Sequence, residues 1–361
     1  MRVMGRDENR GSYVDRLVDE RTLEAYLTHE LGAATTYEVT RHPAGHSNET
    51  LFVTWGDRDL VVRRPPAGET ADTAHDVLRE YHVVDALQDT ETPVPPTVLA
   101  CEDHSVVGSD FYVMERVAGD VLRDEDRERF TDPANRRAVG DELVDALVDV
   151  HALDYESVGL GDLGRPAGFT QRQVERWGRQ FEWATETTAE HRAVPLLETV
   201  EEWLRTNVPE TQEHALVHGD YKLDNVMFAP GATPELVAIF DWELSALGDP
   251  LTDLGWLLAF WRNEGDAERA VPELVPAFTE EEGYPTRQEL VDRYERRSGR
   301  TFEHERFYRT LAVYKLAVLG EMFFARHLRG DSADPMYPVM EARVPALADR
   351  ALRIVQGEEP L

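Results

Sequence analysis

Hydrophobic and polar residues alternate in the first third of the chain. Leu51, Val53 and Trp55 are separated by polar or opposite-face residues, which is the pattern of a half-buried strand. Similar runs, bounded by turn residues, predict strands over 37–42, 49–55, 60–64 and 111–117. Apolar residues at helical spacing predict helices over 14–31 and 73–87. This part of the chain is therefore predicted to form a small antiparallel sheet with helices.

After Gly119 the apolar residues recur mostly at helical spacing. The predicted helices span 135–153, 171–186, 196–206, 251–262, 287–298 and 304–328. Short apolar runs near 215–218, 226–229 and 236–241 predict a strand pair within this helical part. We therefore predict an α+β fold with two lobes, a small N-terminal lobe over 1–117 and a larger, mostly helical lobe over 118–361.

Composition and charge narrow the possible functions. The 361 residues include 70 acidic and 38 basic side chains, for a formal net charge of −32. Such a surface repels nucleic acid and anionic membranes, so neither is expected as a partner. No apolar stretch is long enough for a membrane span, and the N-terminus lacks a secretory h-region, which favours a cytoplasmic protein. The single cysteine, Cys101, excludes an intrachain disulfide and a cysteine metal cluster.

The acidic excess also suggests a halophilic protein. At molar salt the Debye length falls to about 3 Å, so the repulsion between surface carboxylates is largely screened. An acidic bias of a GC-rich genome is the alternative explanation. Lysine occurs only at positions 222 and 315, and every other basic residue in the count of 38 is arginine.

One loop of the helical part is unusually polar. The segment LVHGDYKLDNVMF (216–228) contains the pattern H-G-D-x-x-x-x-N, and the later apolar run VAIF ends at Asp241. Phosphoryl transfer needs a carboxylate near the acceptor hydroxyl, oxygen ligands for magnesium and a cation near the transferred group. Asp220 suits the first role, Asn225 and Asp241 the second, and Lys222 the third. A polar turn that satisfies its own backbone is the alternative.

Four residues near this loop have structural or undecided interpretations. His218 is expected to bond the loop backbone and not to act as a base. Asp249, followed by a proline, is predicted to cap the next helix, which is apolar nearly all round and should be buried. Asp253 interrupts that apolar surface, so it is predicted to brace the polar loop. Lys315 lies on a later helix and faces either a substrate cleft or solvent.

The motif resembles that of the aminoglycoside phosphotransferase family, whose members are relatives of the protein kinases. Further segments resemble the branch that includes the kinase-like domain fused to certain acyl-CoA dehydrogenases: LVVRRPP (60–66), REYHVVDALQDTETPVP (79–95), RQVERWGRQFEW (172–183) and FDWELSALGDPLTDLGWLL (240–258). The resemblance extends from about residue 36 to 345. It implies a bilobal, protein-kinase-like fold that binds ATP and Mg²⁺ between an N-terminal nucleotide-binding lobe and a C-terminal catalytic lobe.

The resemblance also implies roles for residues at matching positions. Asp220 would be the catalytic carboxylate, and Asn225 and Asp241 would be the magnesium ligands. The hinge MERV and the loop over 45–48 would supply four nucleotide-binding residues, namely Ser47, Met114, Glu115 and Val117. The acceptor would be a small hydroxylated molecule, either a hydroxyacyl-CoA or an aminoglycoside-like compound.

The chain departs from the family at the phosphate-binding position of the third strand. Lysine is common there, whereas this chain has Arg63 or, one residue on, Arg64. Glu80 shares the apolar stripe of the following helix, so it needs a cation, and Arg63 is the favoured partner. Glu80 at the solvent edge of that stripe is the alternative. The arginine also leaves open a pseudokinase-like regulatory module, although the retained Asp220 favours an enzyme.

Overall fold

The computed structural model describes residues 17–42, 48–66, 77–210, 213–332 and 334–361. The chain divides into two compact units. The first contains the chain up to Ala118 together with Ala238–Glu243, and the second contains Gly119–Val237 and Leu244–Leu361. Residues 238–243, which the sequence-based division assigns to the C-terminal lobe, are thus part of the first unit.

A five-stranded antiparallel sheet forms the centre of the first unit, with strand order β1-β2-β3-β5-β4. The strands are β1 (Tyr37–Arg41), β2 (Glu49–Trp55), β3 (Arg58–Arg64), β4 (Thr97–Cys101) and β5 (Phe111–Glu115). Among the described residues they are accompanied by the helices α1 (Glu20–Leu31), α2 (Val77–Ala86) and the short α3 (His104–Val107). Strand β4 was not predicted because four of its five residues are half-buried, without the alternation on which the prediction relied.

The first helix begins later than predicted. The Asp19 side chain accepts a hydrogen bond of 2.9 Å from the Thr22 backbone N–H, so it caps a helix that starts at Glu20. Residues 14–16 of the predicted helix lie outside the described residues. Leu23 and Leu27 of α1 pack against one face of the sheet, with Leu51, Val53, Leu60, Val62 and Val113.

The opposite face of the sheet carries two neighbouring rows of side chains. One row is apolar and consists of the cross-strand partners Phe52, Val61 and Met114. The next row consists of Thr50, Arg63 and Tyr112. Since successive strand residues point to opposite faces, Arg63 belongs to this second face and Arg64 to the face packed against α1.

The second unit is mainly helical. Its helices are α4 (Pro133–Ala152), α5 (Phe169–Thr188), α6 (Pro195–Thr206), α7 (Leu251–Phe260), α8 (Arg287–Ser298), α9 (Glu305–Arg329) and α10 (Met336–Gln356). Helix α9 packs against α5, α7 and α10. Six of these helices were predicted to within about two residues at each end. Helix α10 was missed because it contains Pro345, a residue that normally ends a helix.

Four short strands accompany the helices. They are β6 (Ala215–Val217), β7 (Val226–Phe228), β8 (Leu236–Ile239) and β9 (Ala246–Gly248). Strand β6 pairs antiparallel with β9, which was not predicted, and β8 carries the chain from the second unit into the first. In the described ranges, every helix is too short or too polar to cross a membrane.

Candidate active site

The polar loop begins where β6 ends. Gly219 has a φ of 84°, and a side chain there would meet the Leu244 carbonyl oxygen at 2.7 Å, so only glycine fits. His218 is buried, and its Nδ1 accepts a hydrogen bond of 3.1 Å from the Asp220 backbone N–H. The predicted structural role of His218 is confirmed.

Asp253 on α7 binds the backbone of the same loop. Its carboxylate accepts hydrogen bonds from the backbone N–H groups of His218 (2.6 Å) and Gly219 (2.8 Å). Burial alone would raise the pKa of Asp253, but the hydrogen bonds from the His151 side chain and the His218 backbone outweigh it and hold that pKa below its usual value. The predicted brace is present, and α7 is buried along its length as expected.

The cap of α7 differs slightly from the prediction. The helix begins at Leu251, one residue later than the proline, and the Asp249 carboxylate accepts a 3.0 Å bond from the Leu251 backbone N–H. Asp249 also accepts a hydrogen bond of 2.6 Å from the Tyr308 hydroxyl on α9. The capping aspartate therefore ties the start of α7 to α9.

The Asp220 carboxylate receives hydrogen bonds at both oxygens. Lys222 Nζ (2.6 Å) and Asn225 Nδ2 (2.8 Å) donate to Oδ2, and Trp256 Nε1 (2.7 Å) donates to Oδ1. Burial alone would raise the pKa of Asp220, but the charges of Lys222 and Lys315 outweigh it, so the pKa lies below its usual value. We call Asp220, Lys222, Asn225, Trp256 and Lys315 the Asp220 cluster.

Sequence reasoning missed Trp256. It lies three residues after Asp253 on α7, and residues at that spacing share one face of a helix. An indole N–H is a donor only, and a buried donor requires an acceptor. The available signal was therefore that the face of α7 carrying Asp253 also carries a tryptophan with a polar atom to satisfy.

Asn225 has an amide orientation fixed by two oxygen acceptors. Its Nδ2 donates to the Asp220 carboxylate and, at 2.8 Å, to the Asp220 backbone carbonyl. The remaining amide atom, Oδ1, can only accept or ligate a cation. Asn225 therefore has the chemistry of a magnesium ligand.

Lys315 is next to the loop and not in open solvent. Its Nζ donates to the Gly219 backbone carbonyl at 2.5 Å and is 3.9 Å from the centre of the Trp256 ring. Burial lowers the pKa of Lys315 to about 8. A small cavity of about 50 Å³ adjoins this lysine, and its wall includes Gln173, Arg176, Trp177, Trp256, Tyr308 and Lys315.

A second charged group belongs to the first unit. Arg63 Nη2 donates to Glu80 Oε1 (2.9 Å) and Oε2 (3.1 Å) and to Asp241 Oδ1 (2.9 Å). Burial alone would lower the pKa of Arg63, but the charges of Glu80 and Asp241 outweigh it and hold that pKa well above its usual value. The predicted ion pair of Arg63 with a buried Glu80 is confirmed. We call Arg63, Glu80 and Asp241 the Arg63 cluster.

Arg64 has a different environment. Its guanidinium donates to the backbone carbonyls of Pro65 and Val107 (2.9 and 2.7 Å) and to that of Leu17. The side chain is buried against the α1 side of the sheet. Between the two candidate arginines, Arg63 is the one that contacts Glu80.

Asp241 follows strand β8 in an unusual backbone conformation. Its φ is 66°, a left-handed value that aspartate and asparagine adopt more readily than most residues and that concentrates at functional sites. Its side chain is 30% exposed, whereas that of Glu80 is 2% exposed. Of the two carboxylates of the Arg63 cluster, Asp241 is therefore the one open to a ligand.

No group of three or more His, Cys, Asp and Glu side chains in the described ranges could hold a metal ion. Magnesium is commonly bound by one or two carboxylates together with substrate phosphates and water. The accessible carboxylate of Asp241 in the first unit and the amide oxygen of Asn225 in the second are each, taken separately, an oxygen donor of a kind that magnesium accepts.

The predicted hinge residues end strand β5. Met114 is buried in an apolar cluster with Val61 and Tyr112. The Glu115 backbone N–H donates to the Pro96 carbonyl at 2.8 Å, so a backbone contact of Glu115 with adenine would use its carbonyl. Val117 follows the strand and is half-buried. Ser47 lies outside the described residues.

Comparison with known proteins gives consistent matches. Residues 38–298 match the family model of the phosphotransferase enzyme family, APH. The chain is 34% identical over 348 residues to acyl-CoA dehydrogenase family member 11 of Rattus norvegicus, a match that covers 93% of this chain and 43% of that relative. The chain therefore spans less than half the length of the curated relatives it matches.

Solved structures similar to this chain are also phosphotransferases. A crystal structure of a proposed aminoglycoside phosphotransferase from Ralstonia eutropha is similar, with a TM-score of 0.79 and 30% identity, covering 94% of this chain and 99% of that one. A thermostable mutant of aminoglycoside phosphotransferase APH(4)-Ia, in complex with AMP-PNP and hygromycin B, has a TM-score of 0.59 at 16% identity, covering 91% and 98%. The second likeness concerns the fold alone.

The predicted α+β, protein-kinase-like fold is confirmed. With most of its length matched by the family model, the chain belongs to the phosphotransferase enzyme family, APH.

Proposed function

We propose that the chain is an ATP-dependent kinase that phosphorylates a hydroxyl group of a small, anionic acceptor. The observation that carries the proposal is the ionised, half-buried Asp220 carboxylate, which is held by three hydrogen-bond donors. In the proposed step the acceptor oxygen bonds to the γ-phosphorus and the bond to the β–γ bridging oxygen breaks. The hydroxyl proton passes to Asp220, and Lys222 stabilises charge on the transferred group.

Nucleotide and metal binding are assigned to the remaining site residues. Asn225 and Asp241 are the proposed magnesium ligands, and Arg63, oriented by Glu80, is the proposed phosphate-binding cation. Magnesium, when bound, would neutralise charge on the nucleotide phosphates. Met114 and the backbone of Glu115 and Val117 are proposed to contact adenine. The AMP-PNP complex of APH(4)-Ia supports an adenine nucleotide as donor.

The cavity beside the loop supports an anionic acceptor. Its charged lining residues are Lys315, Arg176 and Asp253, so cations outnumber carboxylates there in a chain whose net charge is −32. A polycationic aminoglycoside would meet like charges there, whereas an acceptor with carboxylate, thioester or phosphate oxygens would find donors. The relatives named as acyl-CoA dehydrogenases support hydroxyacyl-CoA esters as the first class to test.

A screen of acceptors tests the proposal. We expect ADP release and a phosphomonoester, detected by mass spectrometry, with hydroxyacyl-CoA esters, and neither product with matched acyl-CoA esters that lack the hydroxyl. Aminoglycosides and amino alcohols complete the screen. Binding of Mg·ATP without transfer to any acceptor would favour the regulatory-module alternative, which the replacement of the usual lysine by Arg63 supports.

A further inference from the structure

Of the three donors that hold the Asp220 carboxylate, Trp256 is the one without an assigned role in binding metal or the transferred phosphoryl group. Asp220 Oδ2 already has two donors, Lys222 and Asn225, whereas Oδ1 receives only the indole N–H at 2.7 Å among the described residues. Rotation of the carboxylate about its bond to Cβ displaces both oxygens, and donors at Oδ2 alone can move together with that oxygen. A donor at the second oxygen removes that freedom and leaves Oδ1 one further lone-pair direction for a substrate hydroxyl.

Lys315 contacts both the ring of Trp256 and the loop that carries Asp220. Its ammonium group is 3.9 Å from the centre of the Trp256 ring and also bonds the carbonyl of Gly219, the residue before Asp220. A cation over an aromatic face is attractive, and it draws electron density from the ring. The indole N–H then becomes a stronger donor, as in other polarised hydrogen-bond chains.

We propose that Trp256, with Lys315 on its ring face, is a positioning residue that fixes the Asp220 carboxylate with Oδ1 directed to the acceptor hydroxyl. The inference rests on the proposed function, since it describes how that reaction is aligned. Helix α7 then holds the loop at two points, through Asp253 at the backbone and Trp256 at the carboxylate. Small displacements of a catalytic group cost large factors in rate, so such a contact has a measurable effect.

The first test is kinetic. Trp256→Phe keeps an aromatic ring beneath Lys315 and removes only the indole N–H. We expect kcat to fall by about ten- to a hundredfold, with the KM for Mg·ATP within about twofold of wild type, because the lost bond acts on alignment and not on nucleotide binding.

Trp261→Phe is the matched control. Trp261 is also buried, and its indole N–H also donates over 2.7 Å, but to the Pro285 carbonyl. Both variants lose one buried indole hydrogen bond, so a general loss of stability should affect them alike. Equal kcat values for the two variants would overturn the proposal.

The second test needs no substrate. The chain has seven tryptophans, and the indole N–H resonance that disappears from the ¹⁵N-tryptophan spectrum of Trp256→Phe identifies Trp256. We expect that resonance to move in Asp220→Asn and in Lys315→Met, while the Trp261 resonance stays in place. An unchanged Trp256 resonance in Asp220→Asn would overturn the inference. If the wild-type protein transferred no phosphate, the proposed function would fail separately, and the resonance would still decide whether Trp256 holds Asp220.

Discussion

The Asp220 cluster and the Arg63 cluster have local charges of opposite sign. In the Asp220 cluster one carboxylate faces two lysines and two neutral N–H donors, so the local charge is positive and the carboxylate stays ionised. In the Arg63 cluster one arginine faces two carboxylates, so the local charge is negative. The positive surroundings of Asp220 keep it ionised and so able to accept a proton at neutral pH. The negative charge of the Arg63 cluster favours the binding of a cation at Asp241.

The carboxylates of the two clusters also differ in their exposure to solvent. Glu80 is enclosed and serves only Arg63, whereas Asp241 stays accessible in a left-handed conformation. Asp220 is half-buried and retains one oxygen with a single donor among the described residues. Glu80, which orients another side chain, is thus inaccessible to solvent. Asp241 and Asp220, which are proposed to contact metal or substrate, each keep an atom that a ligand can reach.

The largest expected effect comes from removing the Asp220 charge. Asp220→Asn keeps the size of the side chain, but it loses the proton acceptor, so we expect kcat to fall roughly a thousandfold or more. Steady-state kinetics with the acceptor found by the screen measures this. Asp162→Asn, the same change at an exposed position of the second unit, is the control and should keep kcat within a few-fold. Wild-type turnover in Asp220→Asn would refute the assignment.

A smaller effect is expected from the arginines of β3. Arg63→Ala should raise the KM for ATP and lower kcat, together by about ten- to a hundredfold in kcat/KM, because a phosphate contact is lost. Glu80→Ala should act similarly, since Arg63 would lose its orientation. The double variant should be no worse than the single variants if the two residues act as a unit.

Arg64→Ala provides the contrast. Its side chain bonds backbone carbonyls on the other face of the sheet, so we expect a lower thermal unfolding temperature with little change in KM for ATP. Kinetic losses in Arg64→Ala larger than those in Arg63→Ala would reverse the assignment. Fully additive losses for Arg63 and Glu80 would show that the pair is not a functional unit.

The smallest expected effect concerns Lys315 and pH. Its pKa is about 8 in the folded protein against a usual value of 10.5, so between these values the unfolded chain binds more protons than the folded one. The free energy of unfolding should therefore rise with pH in that window, by roughly 1–3 kcal/mol relative to Lys315→Met. Urea unfolding at a series of pH values measures the difference. A constant difference between pH 8 and 10.5 would mean that Lys315 is not desolvated.

Much of this arrangement was predictable from sequence because it depends on local patterns. Alternation indicated strands β2 and β3, and the helical stripe identified Glu80 as a buried carboxylate in need of Arg63. The polar residue within an apolar helix identified Asp253 as a brace. In each case a single charged residue on an otherwise apolar surface required a partner, and few candidates were available.

Other features depend on contacts between distant parts of the chain. Trp256 bonds Asp220 across 36 positions, and Lys315 reaches Gly219 across 96, so no local pattern connects them. Strand β9 is three residues long and is defined by its pairing with β6. Residues 238–243, which include Asp241 with its left-handed conformation, belong to the first unit, although the neighbouring sequence on both sides belongs to the second.

The affinity for Mg·ATP tests the proposed division of roles most directly. Calorimetry on wild type, Asp220→Asn and Asp241→Ala, at one magnesium concentration, compares the two clusters without an acceptor. We expect Asp220→Asn to bind Mg·ATP within about threefold of wild type, and Asp241→Ala to bind at least about tenfold more weakly, because it loses an oxygen ligand for a hard cation. Equal affinity of Asp241→Ala and wild type, or a large loss in Asp220→Asn alone, would contradict the account.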